Sequence, residues 1–546
     1  MLVVALNVAA AAFLWRMWPR RDEAQAAAPD DDAEVVAREP FAPSDGDFER
    51  ESVPTATANE LVALAPVRNS HPRRATSPAL AHDLRNIATD AIEELRKATK
   101  GKITAANTTV AIDVRELGAG VAGEIAVDAD QSLRPASNLK LVTTAAALVL
   151  LGPDFQFDTR FETVGECKGG VLHGDLVVRA AADPLYERGG DGDIEALLAP
   201  ALDEIARADL RVITGDVVLD EATFLEPGPA PEWPSKDQWW AEFCALSGGF
   251  SANRGCVTVH VTPARIGEAA SVSAFPREHG LLENFGVRTQ TGVSVVVHMQ
   301  ALATGLLVSG TIGAKSATFS DSCAAPDPVA LFGNALRGAL ARRGVLIQGR
   351  LRRERGVPAG TVIAHLRSPL AKYLQAINTD STNACADQVF LATAYATSGY
   401  GTREAGARAT KLALDQLGVP SQGLVQVDGS GLSRSNRVTA RQMTALIEAV
   451  LTRDERSAQL YRDSMAVAGQ TGTLDKRMRH TPAEGVVNAK TGFIGGTSAL
   501  SGVAPTPDGR VFVFSILVNF PEFDGINKNW KDMQDAMCVR IVKDGS

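Results

Sequence analysis

Three short motifs stand in fixed order along the chain: Ser137-Asn138-Leu139-Lys140, then Ser381-Thr382-Asn383, then Lys490-Thr491-Gly492. Together they are the parts of one acyl-transfer machine, so the fold has to carry three distant stretches to one cleft. A serine three residues before a lysine on a helix places both side chains on one face, one turn apart. A serine hydroxyl is a weak nucleophile until a base takes its proton, and a desolvated lysine can be that base. Ser137-x-x-Lys140 occurs once and Lys490-Thr491-Gly492 occurs once. Either alone is a weak signal; the ordered set is a strong one.

The local settings agree. Arg134-Pro135-Ala136 precedes the serine, and residues 139–151 (LKLVTTAAALVLL) follow as a nearly unbroken apolar run. This predicts a helix buried on most sides and opening at Ser137. A lysine at such a buried start must be paired or shift its pKa. Ser381-Thr382-Asn383 has a rival in Ser251-Ala252-Asn253, which lies in a glycine-rich turn before a strand-like run (256–261). The first copy sits among Leu370, Leu374, Ile377 and the apolar segment 390–394, where a hydroxyl and an amide can face a cleft. Ser381 and Asn383 are therefore the expected site residues, and Ser251 an ordinary turn residue. Lys490 on a strand edge adds positive potential where a carboxylate or oxyanion would lie, and Gly492 admits close approach of the backbone. Gly429-Ser430-Gly431 is no nucleophile elbow, because Asp428 stands where glycine is needed, and it reads as a structural turn.

On these motifs the chain resembles the serine D-alanyl-D-alanine carboxypeptidases/endopeptidases of the DacB type, the class C low-molecular-mass penicillin-binding proteins. Further landmarks are Gly174-Asp175-Leu176, Asp183-Pro184, Gly215-Asp216-Val217-Val218, Asp428-Gly429-Ser430-Gly431-Leu432-Ser433 and Gly472-Thr473-Leu474. The resemblance spans roughly residues 80–540, and the long gap between Ser137 and Ser381 suits this class. It implies that Ser137 forms an acyl-enzyme with a peptidoglycan stem peptide or a D,D cross-link and is acylated by beta-lactams. Lys140 would take the serine proton, and Ser381 and Lys490 would relay one to the leaving amine. Asn383 would hold the substrate amide and Thr491 its carboxylate, with Gly492 and Phe493 completing the binding strand. No cofactor is implied. After K-T-G the family usually carries Thr or Ser, whereas this chain has Phe493. Its backbone N–H can still serve an oxyanion hole with that of Ser137. The competing reading is a non-catalytic cell-wall-binding or scaffold protein on the same fold, prompted by Phe493 and the N-terminus.

The expected fold is α+β: a β-lactamase/transpeptidase-like domain, an antiparallel sheet flanked by helices, split by a β-rich insertion. The catalytic part is expected over 81–160 and 327–546, the insertion over 161–326, and a helix over 328–343 is expected to return the chain to the first part. Paired strands are expected near 108–114 and 123–127, helices near 370–395, 404–416 and 438–452, and a central strand over 511–518. Residues 22–80, rich in Ala, Pro, Asp and Glu, read as a disordered tether. Residues 1–21 carry an apolar run (2–15) too short for a confident span, followed by Arg16, Arg20 and Arg21. A signal peptide, an uncleaved membrane anchor and a misplaced start all fit; export to the periplasm or cell envelope is the expectation.

A net charge of −9 argues against nucleic acid as a partner. The eight histidines are scattered and no cysteines stand at zinc spacing, so no metal site is expected. Of the six cysteines, Cys244 and Cys256 flank a turn-rich stretch and could pair in an oxidising compartment; six buried free thiols fit equally well.

Overall fold

The computed structural model describes residues 78–119, 124–188, 194–224 and 228–545. The expectations for the apolar segment 1–21 and for the tether up to residue 77 lie outside the described residues.

A six-stranded antiparallel sheet organises the part that carries the motifs. Its order is Ala466–Val467, Asn488–Ile494, Thr497–Pro505, Val511–Asn519, Thr109–Glu116 and Ile125–Val127. The VFVFSILV run is an interior strand, flanked by Thr497–Pro505 and Thr109–Glu116. Such a strand is buried on both faces, which is why it reads as continuously apolar. Its side chains alternate between two cores. Val513 and Leu517 pack with the helices Leu139–Leu150, Leu370–Asn378, Asn383–Ser398 and Ala440–Arg453. Phe512, Phe514, Ile516 and Val518 face the helices Pro78–Ala98 and Asn527–Val542 on the other side. The amphipathic first helix buries Leu80, Leu84, Ala88 and Leu95, so the folded body begins at or before Pro78 rather than at residue 81.

A second body hangs between the Leu139–Leu150 helix and the Leu370–Asn378 helix. Its main sheet has seven strands, with Gln156–Lys168 lying between Val171–Arg179 and Thr361–Pro369. Two three-stranded sheets complete it, one of Cys256–Thr262, Ser271–Phe275 and Phe319–Ala324, the other of Leu282–Gln290, Val295–Ala301 and Gly305–Gly313. This material contains a helix too, Ile194–Arg207.

The expected boundary at 327 needs correction. The helix exists, as Pro328–Arg342, but it does not return the chain. Its apolar face (Val329, Leu331, Phe332, Leu336 and Leu340) is buried in the core of the second body. The strands Leu346–Ile347, Leu351–Glu354 and Thr361–Pro369 then pair with Val212–Ile213, Val217–Asp220 and Gln156–Lys168. The chain re-enters the first body only at Leu370, and the second body starts at Gln156.

Candidate active site

Ser137 lies in a single 3-10 turn, Ala136–Asn138, that leads into the Leu139–Leu150 helix. Residues 139–149 of that helix are all buried, Lys140 included. The turn is strained, because Ala136 has φ of 47°, a conformation that L-residues other than glycine, Asn and Asp rarely adopt. Two glycines let neighbours close on it. A Cβ on Gly431 would stand 1.9 Å from the Ala136 carbonyl oxygen, and one on Gly492 would stand 2.8 Å from that of Pro135. Asn138 stitches the turn to the sheet. With its amide nitrogen facing the strand it donates to Lys490 O (2.7 Å), and its oxygen accepts from Ser501 N (3.2 Å) and Ser501 Oγ (2.7 Å).

Lys140 Nζ lies 2.9 Å from Ser137 Oγ and donates to Asn383 Oδ1 (2.6 Å) and to the Ser430 carbonyl oxygen (2.7 Å). Burial lowers its pKa to about 8, against the pull of the Asp387 and Asp428 carboxylates. Asn383, the first residue of its helix, spends its amide nitrogen on the Phe243 carbonyl oxygen (2.7 Å), a contact with the second body.

Ser381 sits in the two-helix corner between Leu370–Asn378 and Asn383–Ser398 with a left-handed φ of 67°. Lys490 Nζ donates to its Oγ (2.8 Å) and to Thr491 O (2.8 Å). Lys490 is fully buried, and its pKa is pushed well below the ordinary value by burial and then by the charge of Lys140, with Asp380 opposing. The strand that carries it pairs along its length with Thr497–Pro505, but on its other side only Asn488 and Ala489 meet a strand. From Lys490 onward that edge pairs with no strand among the described residues and faces the Ala136–Asn138 turn. Thr491 Oγ1 donates to Thr473 Oγ1 (2.9 Å), and Phe493 is 52% exposed.

Hydrogen bonds thus gather Ser137, Lys140 and Asn383 into one group and Ser381 and Lys490 into a second, with Thr491, Gly492 and Phe493 along the strand that carries Lys490. A model of the D-Ala-D-Ala carboxypeptidase 3 (S13) family matches residues 93–541. The chain belongs to that family of serine-type carboxypeptidases. It is 34% identical over 436 residues to the D-alanyl-D-alanine carboxypeptidase of Actinomadura sp. (strain R39), covering 76% of this chain and 78% of the relative. To D-alanyl-D-alanine carboxypeptidase DacB of Haemophilus influenzae it is 27% identical over 400 residues, covering 70% and 80% respectively. The crystal structure of penicillin binding protein 4 (dacB) from Haemophilus influenzae superposes with a TM-score of 0.67 at 21% identity, covering 83% of this chain and 99% of that one. The α+β fold implied by the resemblance, an antiparallel sheet flanked by helices with a β-rich insertion, is the fold observed.

Within this S13 chain the rival S-x-N motif stands apart. Ser251 is buried with no hydrogen-bond partner for its hydroxyl among the described residues, and Asn253 Nδ2 ties its own turn to Cys256 O (3.0 Å) and Thr258 Oγ1 (2.9 Å). All six cysteines are free thiols, Cys244 and Cys256 among them. Sequence reasoning missed three participants. Thr473 was visible only as part of a family landmark, with nothing to say that it meets Thr491. Ser430 too stood only within a landmark, with nothing to say that its carbonyl meets Lys140, and Asp387 carried no signal, since the groups it meets are backbone N–H groups.

Proposed function

We propose that Ser137 is the nucleophile and Lys140 its general base in cleavage of the D-Ala-D-Ala ends of peptidoglycan stem peptides. The observation that carries this reading is the 2.9 Å approach of a fully buried, pKa-lowered Lys140 to Ser137 Oγ. With two of its hydrogens directed to Asn383 Oδ1 and Ser430 O, a neutral amine presents its lone pair to the serine hydroxyl. Ser137 Oγ attacks the carbonyl between the two D-alanines, Lys140 takes its proton, and the oxyanion forms against the N–H groups of Ser137 and Phe493. Ser381, held by Lys490, passes a proton to the departing amine, and water hydrolyses the resulting ester.

Two buried lysines near one another cannot both be charged cheaply. The carboxylate of an arriving D-Ala end beside Thr491 and Lys490 favours the charged form of Lys490, and the repulsion in turn favours neutral Lys140. Substrate binding thereby readies the base. A D,D cross-link offers the same bond in another setting, so endopeptidase action belongs to the same reading, as does acylation by beta-lactams. The scaffold alternative is disfavoured by the unbroken set Ser137, Lys140, Ser381, Asn383 and Lys490.

The substrate lies outside the cytoplasmic membrane, and with the apolar run at 2–15 this supports a periplasmic or cell-envelope location, with residues 1–21 serving export or N-terminal membrane association. No described helix is long and apolar enough to cross a membrane. The catalytic test is direct: release of D-alanine from a D-Ala-D-Ala-terminated peptide, and one benzylpenicillin adduct by intact-mass spectrometry. Both should vanish in Ser137→Ala. An adduct that persists in that variant overturns the assignment.

A further inference from the structure

The Asp428-Gly429-Ser430-Gly431 turn touches the site from behind. Gly431 has φ of 81° and packs against Ala136, and the Ser430 carbonyl oxygen is 2.7 Å from Lys140 Nζ. Two buried carboxylates hold the turn. Asp428 accepts from Gly431 N (2.8 Å) and Asn436 Nδ2 (2.9 Å) through one oxygen, and from Ser433 N (2.7 Å) and Trp233 Nε1 (3.0 Å) through the other. Asp387, one turn into the Asn383–Ser398 helix, accepts from Gly429 N (2.6 Å) and Ser430 N (2.8 Å) through Oδ1 alone. Its Oδ2 has no partner among the described residues. Asp387 and Asp428 also line a cavity of about 20 Å³ with Trp233, enough for a single water.

Asp428 alone binds four donors in and around the turn. Asp428 holds Gly431 N, the N–H of the peptide to which the Ser430 carbonyl belongs, and Asp387 grips the N–H groups of the two peptides before it, Gly429 N and Ser430 N, so that Ser430 is held on both sides. We propose that Asp387 is a positioning residue for the general base: by holding the Ser430 N–H while Asp428 holds that of Gly431, it keeps the Ser430 carbonyl on Lys140 Nζ and so aims the amine lone pair at Ser137 Oγ. The proposal rests on the assignment of Lys140 as base. In the step it serves, the Ser137 O–H bond breaks, the proton moves to the Lys140 lone pair, and the ammonium so formed keeps Asn383 Oδ1 and Ser430 O as acceptors.

The electrostatics run the same way. The charged and titratable groups that face Lys140 are Asp387 and Cys385 from one helix, Asp428 from the turn and Lys490 from the strand. Asp387 is raised to about 7 by burial and by Asp428, and held down by Lys140. Removing the Asp387 charge must therefore lower the Lys140 pKa further.

The test is the pH dependence of acylation by benzylpenicillin, followed as the Ser137 adduct by mass spectrometry, in the full chain and two variants. Asp387→Asn keeps an oxygen for the two N–H groups, and its amide nitrogen takes the place of the unpartnered Oδ2. Its acid limb should move down by roughly one pH unit, the lower end of what a neighbouring charge does, with a plateau within about threefold of the parent. Asp387→Ala loses grip and charge together, so its plateau should fall about thirtyfold or more, as expected of a misaimed base. Thermal unfolding checks that each variant is folded, and if the Ala variant is not, the limb of the Asn variant decides. An unmoved limb in folded Asp387→Asn, or a parental plateau in Asp387→Ala, overturns the proposal and leaves Asp387 a structural residue. A parent chain that forms no adduct at Ser137 instead overturns the reading of the site on which it rests.

Discussion

Gly492 and Pro135 approach so closely that a Cβ on the glycine would stand 2.8 Å from the Pro135 carbonyl oxygen and 3.1 Å from Asn138 N. The Asn488–Ile494 strand and the Ala136–Asn138 turn are thus in backbone contact across this glycine, where the proposed mechanism places the oxyanion. Gly492 does not need a left-handed φ; it needs the absence of a side chain. Gly492→Ala should leave the sheet register intact, because the strand stays paired with Thr497–Pro505. It should still lower acylation of Ser137 by about 10²-fold, the penalty typical of a displacement near 1 Å at a reacting centre. Benzylpenicillin acylation rates with circular dichroism check both halves; a variant that acylates at the parental rate removes this contact from the mechanism.

The pH dependence of the parent enzyme follows from Lys140. Its pKa is lowered to about 8, so the reactive neutral amine grows as pH rises and is mostly formed above that value. Acylation should climb about tenfold per pH unit on the acid side and level off above about 8. Stability has the same sign: the unfolded chain, whose lysine titrates near its ordinary value, binds more protons between about 8 and 10.5, so this group makes folding more favourable as pH rises through that window. Acylation that is flat from pH 6 to 9 would mean that another group takes the serine proton.

The two S-x-N motifs make a paired prediction. Ser381 Oγ receives Lys490 Nζ at 2.8 Å, whereas the Ser251 hydroxyl is buried without a partner among the described residues. Ser381→Ala should reduce D-alanine release by about 10²–10⁴-fold, the range for a lost proton-transfer group. Ser251→Ala should leave turnover within twofold and be neutral or mildly stabilising, since it relieves an unsatisfied buried hydroxyl. Steady-state rates and melting temperatures of the two variants decide it, and the reverse pattern would exchange the roles of the motifs.

Legibility in the sequence followed the chemistry. The approach of Lys140 to Ser137 and the place of Lys490 on a strand could be read, because S-x-x-K opening an apolar helix and K-T-G on a strand edge are patterns with a stated geometry. The 511–519 strand could be read because an interior strand is apolar on both faces. The return of the chain was placed too early, at 327 and not 370, because the intervening strands Leu346–Ile347 and Leu351–Glu354 are too short to show a period of two. The helix before them is apolar on one face whichever core it serves. Asp387 was unreadable for another reason: it meets Gly429 and Ser430 through their backbone N–H groups, and only the fold shows which carboxylate meets them. The Gly429-Ser430-Gly431 run, read as a structural turn, reaches Lys140 through the Ser430 carbonyl.

Phe493 gives the sharpest test of specificity. Thr491 and Phe493 lie two residues apart on one strand, so their side chains share a face of the free edge, and Phe493 is 52% exposed. Where the family carries a hydroxyl, this chain presents a ring. A hydroxyl bonded to a charged carboxylate commonly contributes about 1.5–3 kcal/mol. Phe493→Thr should therefore raise kcat/KM on peptides with a free D-Ala carboxylate by roughly tenfold or more, at about 1.4 kcal/mol per decade. The exposure of the ring means that little core packing is lost, so the melting temperature should hardly move. Cross-linked substrates, which lack a free carboxylate at that point, should change much less. Kinetics on a D-Ala-D-Ala peptide and on a D,D cross-linked dimer separate the cases: equal changes on both, or a loss on the free-carboxylate peptide, would make Phe493 a structural substitution with no part in substrate choice.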